Sequence, residues 1–254
     1  IATNHWYAEK ARALLMCKWD LAASRGHGSA EYAAAAAQLH DAGPGKELRR
    51  DGDAAARIAS AARTVRARYS YPYVSHATLE PQNCTALYGK DGTLQFWAPT
   101  QAPENGAKRV SDVLDVPAEK LTIHMMRIGG GFGRRLMNDY MVIAGAIAMQ
   151  VPGRPVQFLM NRRQDFQHDF LRPAGWHDFS AGIDESGQLV ALTDHFVTLG
   201  ANGEPGRSAG MAPSQFPQGL VPDLLYTQSV LDTPVPSGPL RAPGSNALAF
   251  VFQC

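Results

Sequence analysis

Cysteine is scarce in this chain: Cys17, Cys84 and Cys254 are the only three, and no Cys-x-x-Cys occurs. An iron–sulfur cluster takes about four ligands, and a zinc ribbon needs paired cysteines. Neither can be built here, so the three thiols read as core or surface residues and any electron-transfer metal must come from elsewhere. Long apolar runs are missing too. No stretch approaches the ~18 apolar residues of a membrane-spanning helix, and the longest helix-like one is interrupted by Asn138 and Asp139. Charge of one sign is also missing. The net charge is +1, which offers no electrostatic footprint for nucleic acid.

The familiar phosphate loops are absent as well. No Lys-Ser or Lys-Thr follows a glycine at P-loop spacing. The dinucleotide fingerprint fails at its third glycine, which is Arg134, and no carboxylate stands about 20 residues on. His76 and Glu80 are four apart, but no third metal ligand lies at a motif spacing, so both read as hydrogen-bonded structural residues.

What is present is Gly129-Gly-Gly-Phe-Gly-Arg-Arg135, set between an alternating run, Leu121–Ile128, and a helix-like segment, Leu136–Gln150. Adjacent glycines bare their main-chain N–H groups. A concave row of such groups ahead of a helix attracts anions, and two arginines add fixed positive charge. The stretch is therefore a candidate cradle for an anionic cofactor. The plainer alternative is a glycine-rich turn that only lets strand and helix pack closely. Arg134 and Arg135 bind phosphate on the first view and lie on the surface on the other.

Along the chain, Trp6–Trp19 has helical spacing and reads as a helix ending near Lys18. Residues 21–68 are rich in Ala, Gly, Arg and charge and read as a surface excursion with one or two short helices. From Tyr69 the pattern becomes that of strands: 69–75, 93–98 after an Asp91-Gly92 turn, 155–160, and a hairpin of 178–184 and 189–197. Pro103–Asp115 is helix-like, and 199–222 is a loop long enough to suggest function. Helices interleave with strands, so the class is α+β with split βαβ-like units.

Five motifs in order resemble the large subunit of the xanthine oxidase family of molybdenum hydroxylases. They are Tyr71-Pro-Tyr-Val-Ser-His-Ala-Thr-Leu-Glu-Pro81, Thr100-Gln101, Gly129–Gly133, Arg154-Pro-Val156 and Arg241-Ala-Pro-Gly244. The Gly-Gly-Gly-Phe-Gly-Arg-Arg form is most similar to the isoquinoline 1-oxidoreductase β-subunits and bacterial aldehyde dehydrogenases of that family. The resemblance covers about 69–254. It implies a molybdopterin-binding domain truncated at 254, preceded by a linker at 21–68 and the tail of an α/β hammerhead domain at 1–20. Ile1 at the start and Cys254 within an apolar run agree with a piece of a longer polypeptide.

The resemblance implies a molybdopterin cofactor, in its cytosine dinucleotide form, with molybdenum. Gln101 would donate its amide to the metal centre, and Gly130, Gly131, Phe132, Gly133 and Arg134 would border the cofactor. Arg241 would lie on the substrate side, where a structural salt bridge is the alternative. No metal ligand comes from the protein. The reaction implied is hydroxylation of an aldehyde or aromatic N-heterocycle with oxygen from water. Leu136 replaces a glutamate of the purine-oxidising branch, which disfavours a purine. Electrons would leave through a small subunit carrying [2Fe-2S] clusters, with a c-type cytochrome as a further partner. The catalytic base of the family lies beyond Cys254, so residues 1–254 alone are expected not to turn over. Two alternatives remain at this point: a non-catalytic binding or assembly module of the same fold, and a serine hydrolase using Ser208 of Gly206-Arg-Ser-Ala-Gly210. The latter lacks a strand before the serine and a histidine after His195.

Overall fold

The computed structural model describes residues 1–254, which divide into two units. The first holds residues 1–25, 77–131 and 135–168, and the second holds 26–76, 132–134 and 169–254. In chain order the elements begin with α1 (His5–Ala13), α2 (Ser29–Ala42), β1 (Lys46–Asp51), α3 (Ala54–Ala59) and β2 (Arg63–Tyr71). Next come β3 (Asn83–Tyr88), β4 (Leu94–Ala98), α4 (Pro103–Leu114), β5 (Leu121–Met125), α5 (Asp139–Ala148), β6 (Val156–Leu159) and α6 (Arg162–Gln167). Last are β7 (Gly175–Ile183), β8 (Leu189–Ala201), β9 (Glu204–Pro205), β10 (Asp223–Asp232) and α7 (Leu248–Gln253).

The first unit is built on a four-stranded sheet of order β5-β4-β3-β6. Its hairpin turns at Asp91-Gly92, where Gly92 adopts φ +81° and Asp91 accepts from the Thr93 N–H and hydroxyl at 3.1 and 2.8 Å. Strand β4 alternates, sending Leu94, Phe96 and Ala98 fully into the core. The chain then crosses through α4 to β5, parallel to β4, since a parallel pair requires a crossover. Pro103 opens α4, where its missing N–H costs nothing. Tyr140, Met141, Ala144 and Ala148 of α5 complete this core.

The second unit carries a sheet of order β1-β10-β8-β7-β2, with β9 on β8. The β7–β8 turn is closed by Asp184, which accepts from the N–H groups of Ser186 and Gln188. Strand β10 runs parallel to β8 and antiparallel to β1. Phe179, Phe196, Leu224 and Tyr226 on one face pack with Leu248 and Val251 of α7.

In the same unit the His40 ring of α2 meets that of His195 of β8 edge-on, with centroids 5.0 Å apart. Burial lowers both: His40 falls below its ordinary value, and His195 is pushed down to about 4. An unfolded chain takes up these protons near pH 6.5, while the folded one resists. Stability is therefore full above pH 6.5 and falls as pH drops toward 4, by up to about 1.4 kcal/mol per pH unit per group. Urea midpoints measured between pH 7.5 and pH 5 should decline, and His195→Asn should flatten the decline. An unchanged slope would contradict this account.

Four local expectations are corrected. Helix α1 stops at Ala13, not Lys18; none of its residues is buried, with Trp6 65% and the capping Leu14 82% exposed, so no packing extends it beyond Ala13. The stretch 21–68 is more than a surface excursion, since α2, β1 and the start of β2 belong to the larger sheet and its cover. Strand β2 spans 63–71 instead of 69–75 and ends at Pro72, which cannot donate to a ladder. Helix α5 begins at Asp139, because Arg134–Leu136 form a single 3₁₀ turn and Asn138 is left-handed at φ +53°.

Candidate functional site

The glycine loop leaves β5 and passes from the first unit to the second for residues 132–134 before returning. In the first unit, the Gly129 N–H donates to the Glu80 carboxylate. The chain thus supplies an anion of its own at that end of the loop. Glu80 also takes Arg135 Nη2 at 3.0 Å and Asn83 Nδ2 at 2.7 Å. Arg135 is fully buried and donates further to the carbonyls of Pro99 (3.0 Å) and Pro81 (3.2 Å).

Gly130 has φ +91°, open to glycine and strained for other residues. The N–H groups of Gly130 and Gly131 make no hydrogen bond within their unit. A Cβ on Gly131 would collide with Oε1 of Gln101 and lie 2.8 Å from its Cδ. The missing side chain therefore lets the Gln101 carboxamide lie directly on the loop. The turn that carries Gln101 is fixed on both sides. Thr100 donates to Asn138 Oδ1 at 2.6 Å, Asn138 Nδ2 to the Ala102 carbonyl at 3.0 Å, and the Gln101 N–H to the Arg135 carbonyl at 3.4 Å.

In the second unit, Phe132 is 44% exposed and held at φ +50°. A large aromatic in left-handed backbone is costly, and such outliers cluster at functional sites. Its carbonyl accepts from the Arg241 N–H at 2.8 Å, so two of the expected residues are brought together. Gly133, at φ +104°, lies where any Cβ would strike the Pro239 carbonyl. Arg134 is 1% exposed, with Nε 3.0 Å from Asp169 Oδ1 and its guanidinium over the Phe170 ring at 5.1 Å. The surface placement left open for Arg134 and Arg135 is corrected: both are buried ion-pair members that anchor the loop from inside.

Asp169 carries no sequence signal, since no spacing links it to the loop. It accepts from Ser75 Oγ (2.6 Å), the His76 N–H (2.7 Å) and His76 Nδ1 (2.9 Å). Burial alone would raise its carboxyl; these bonds overcome that and hold it down to about 2. His76 and Glu80 share no cluster, and no group of three or more metal-ligating side chains exists. Ser208 has φ +61°, yet the cavity beside it, about 20 Å³, is lined by Tyr71, Arg172 and loop residues without a histidine. The hydrolase reading has no base.

In the first unit the loop thus presents two main-chain N–H groups and an uncharged carboxamide laid against Gly131, and main-chain donors of this kind attract anions. A family model described as the molybdopterin cofactor-binding domain matches residues 39–253. The chain is 29% identical over 150 residues to a membrane-bound aldehyde dehydrogenase [pyrroloquinoline-quinone] of Gluconacetobacter polyoxogenes, covering 54% of this chain and 19% of that protein. It is 31% identical over 124 residues to the isoquinoline 1-oxidoreductase subunit beta of Brevundimonas diminuta, covering 49% and 16%. It thus spans less than a fifth of either relative's length. Among solved structures, quinoline 2-oxidoreductase from Pseudomonas putida 86 shares the fold, with a TM-score of 0.68 at 20% identity over 94% of this chain and 32% of that one. The chain belongs to the molybdopterin cofactor-binding domain family, of the xanthine oxidase type.

Proposed function

We propose that this chain is the part of a molybdenum hydroxylase that grips the cofactor, and that the whole protein hydroxylates an aldehyde or an aromatic N-heterocycle with oxygen from water. The observation that carries the proposal is the Gln101 carboxamide lying against Gly131, beside N–H groups that no ladder engages. Bound molybdenum would supply the two-electron redox chemistry. Gln101 would donate a hydrogen bond without bringing a charge that perturbs the couple. Gly130 and Gly131 would present main-chain donors, which suit anionic acceptors. Phe132 and Gly133 would border the cofactor. Arg134 would act from behind, its guanidinium fixing the loop to Asp169. Arg241, whose side chain is exposed, would stabilise negative charge developing on the substrate.

The finer assignments belong to the same proposal: the cytosine dinucleotide form of the pterin, [2Fe-2S] clusters on a small partner subunit with a c-type cytochrome beyond it, and residues 1–20 as the tail of a preceding domain. The names of the relatives favour aldehydes and N-heterocycles, and the apolar Leu136 agrees with a less polar substrate than a purine.

The test is elemental and fluorescence analysis of the natively purified protein. Near-stoichiometric molybdenum with a fluorescent pterin is expected, and a quinone cofactor or no molybdenum would overturn the reading. In the loaded protein, Gln101→Ala should lower kcat by about 100–1,000-fold, as losing one preorganised donor does. A wild-type kcat would remove Gln101 from the site.

A further inference from the structure

Resting on that reading of the loop, we propose that His76 is a positioning residue. It donates from Nε2 to the Pro239 carbonyl, and so holds the Pro239–Arg241 strap with the Arg241 guanidinium on the substrate side. The His76 ring is enclosed between two acceptors: Nδ1 is 2.9 Å from Asp169 Oδ1 and Nε2 is 2.9 Å from the Pro239 oxygen. The Pro239 carbonyl has no proton to offer, so the Nε2 contact is one in which the ring donates. The charged groups bearing on it are Asp169 directly and, through Asp169, Arg134.

From Pro239 the contacts close on themselves. The Arg241 N–H donates to the Phe132 carbonyl at 2.8 Å. Two residues on, Arg134 returns to Asp169 at 3.0 Å. Gly133, between them, faces the same Pro239 oxygen that His76 holds. The exposed part of the strap makes only local bonds of its own, Asn246 Nδ2 to the Arg241 carbonyl at 2.9 Å and the Asn246 N–H to the Ala242 carbonyl at 2.8 Å. Upstream, the Gly238 N–H donates to the Leu171 carbonyl at 3.0 Å; from Pro239 to Arg241 the inward bonds are His76–Pro239 and Arg241–Phe132. A histidine that merely filled core volume would not need a donor at Nε2; a positioning histidine does.

Two polar substitutions separate these roles. His76→Asn keeps an amide toward Asp169 and is too short to reach Pro239. His76→Gln is long enough to donate to Pro239. Arg241 is an exposed trypsin site, so cleavage of the Arg241–Ala242 bond in the natively purified protein reports the strap with or without cofactor. His76→Asn should be cut roughly five- to tenfold faster than wild type, the effect of losing one hydrogen bond on a fast-opening segment. His76→Gln should stay close to wild type. In loaded protein, His76→Asn should lower kcat per molybdenum by a similar factor with KM little changed, as losing an interaction made in the transition state does. Wild-type cleavage in His76→Asn, or equal acceleration in both variants, would overturn the proposal. A protein without molybdenum would defeat the reading of the loop and leave the cleavage comparison intact, so the two failures are distinguishable.

Discussion

Replacing Arg135 with leucine will lower the unfolding free energy by about 2–3 kcal/mol, the cost of leaving buried acceptors unmet, less than for a fully buried ion pair because Glu80 keeps 33% of its side chain exposed. The side chain is wholly buried and gives donors to Glu80 Oε1 and to the carbonyls of Pro99 and Pro81. Leucine leaves those acceptors facing an apolar group, and an unmet buried acceptor costs more than the bond contributed. The Gly129 end of the loop, tied to the same Glu80, would loosen with it. Urea denaturation should show a lower midpoint with an unchanged slope. Arg135→Lys should recover only part of the loss, because an ammonium cannot fork between a carboxylate and two carbonyls. A loss below about 1 kcal/mol would mean the pair behaves like an exposed one.

Gly133→Ala is the second substitution with a large expected effect. The left-handed backbone at φ +104° would cost a side chain about 1–3 kcal/mol by itself. The collision with the Pro239 carbonyl adds to it, because backbone cannot swing aside as a side-chain tip can. In natively purified protein the variant should show a lower melting temperature and reduced molybdenum and pterin content. Gly187→Ala, at a φ of +86° with open space around it, separates the two contributions, since it carries only the backbone cost. If both substitutions cost the same, the close approach to Pro239 contributes nothing.

Much of this architecture was legible because it rests on local rules. The alternation Leu94-Gln-Phe-Trp-Ala98 marks a strand with one buried face, and Asp91-Gly92 and Asp184–Gly187 mark turns. In each turn an aspartate closes onto main-chain or hydroxyl donors two to four residues on. The loop and Gln101 stood out because glycines and an amide carry their chemistry in their own atoms. Arg134 and Arg135 were harder. Two adjacent arginines look like surface, and the partners that bury them come from far along the chain; Glu80 is 55 residues away from Arg135. Asp169 was invisible for the same reason, having no period that links it to His76 or Arg134. Strand β2 began earlier than expected because Arg63-Thr-Val-Arg-Ala-Arg68 mixes charge with small residues along a largely exposed ribbon. Helix α1 was overextended because spacing shows which side chains could be buried and says nothing about whether anything covers them.

The place of β10 between β1 and β8 has a consequence for how the chain is made. Strand β1, spanning Lys46–Asp51, has its only ladder partner in Asp223–Asp232. On the ribosome it emerges long before that partner and has nothing to pair with while most of the second unit is still being translated. Closure of this sheet is therefore a late, long-range event, slow in the way non-local pairings are. The nascent polypeptide must keep an early edge from engaging a neighbouring copy until then. The charges along Lys46-Glu-Leu-Arg-Arg-Asp51, which hid this strand in the sequence, are what discourage such mispairing in the interval.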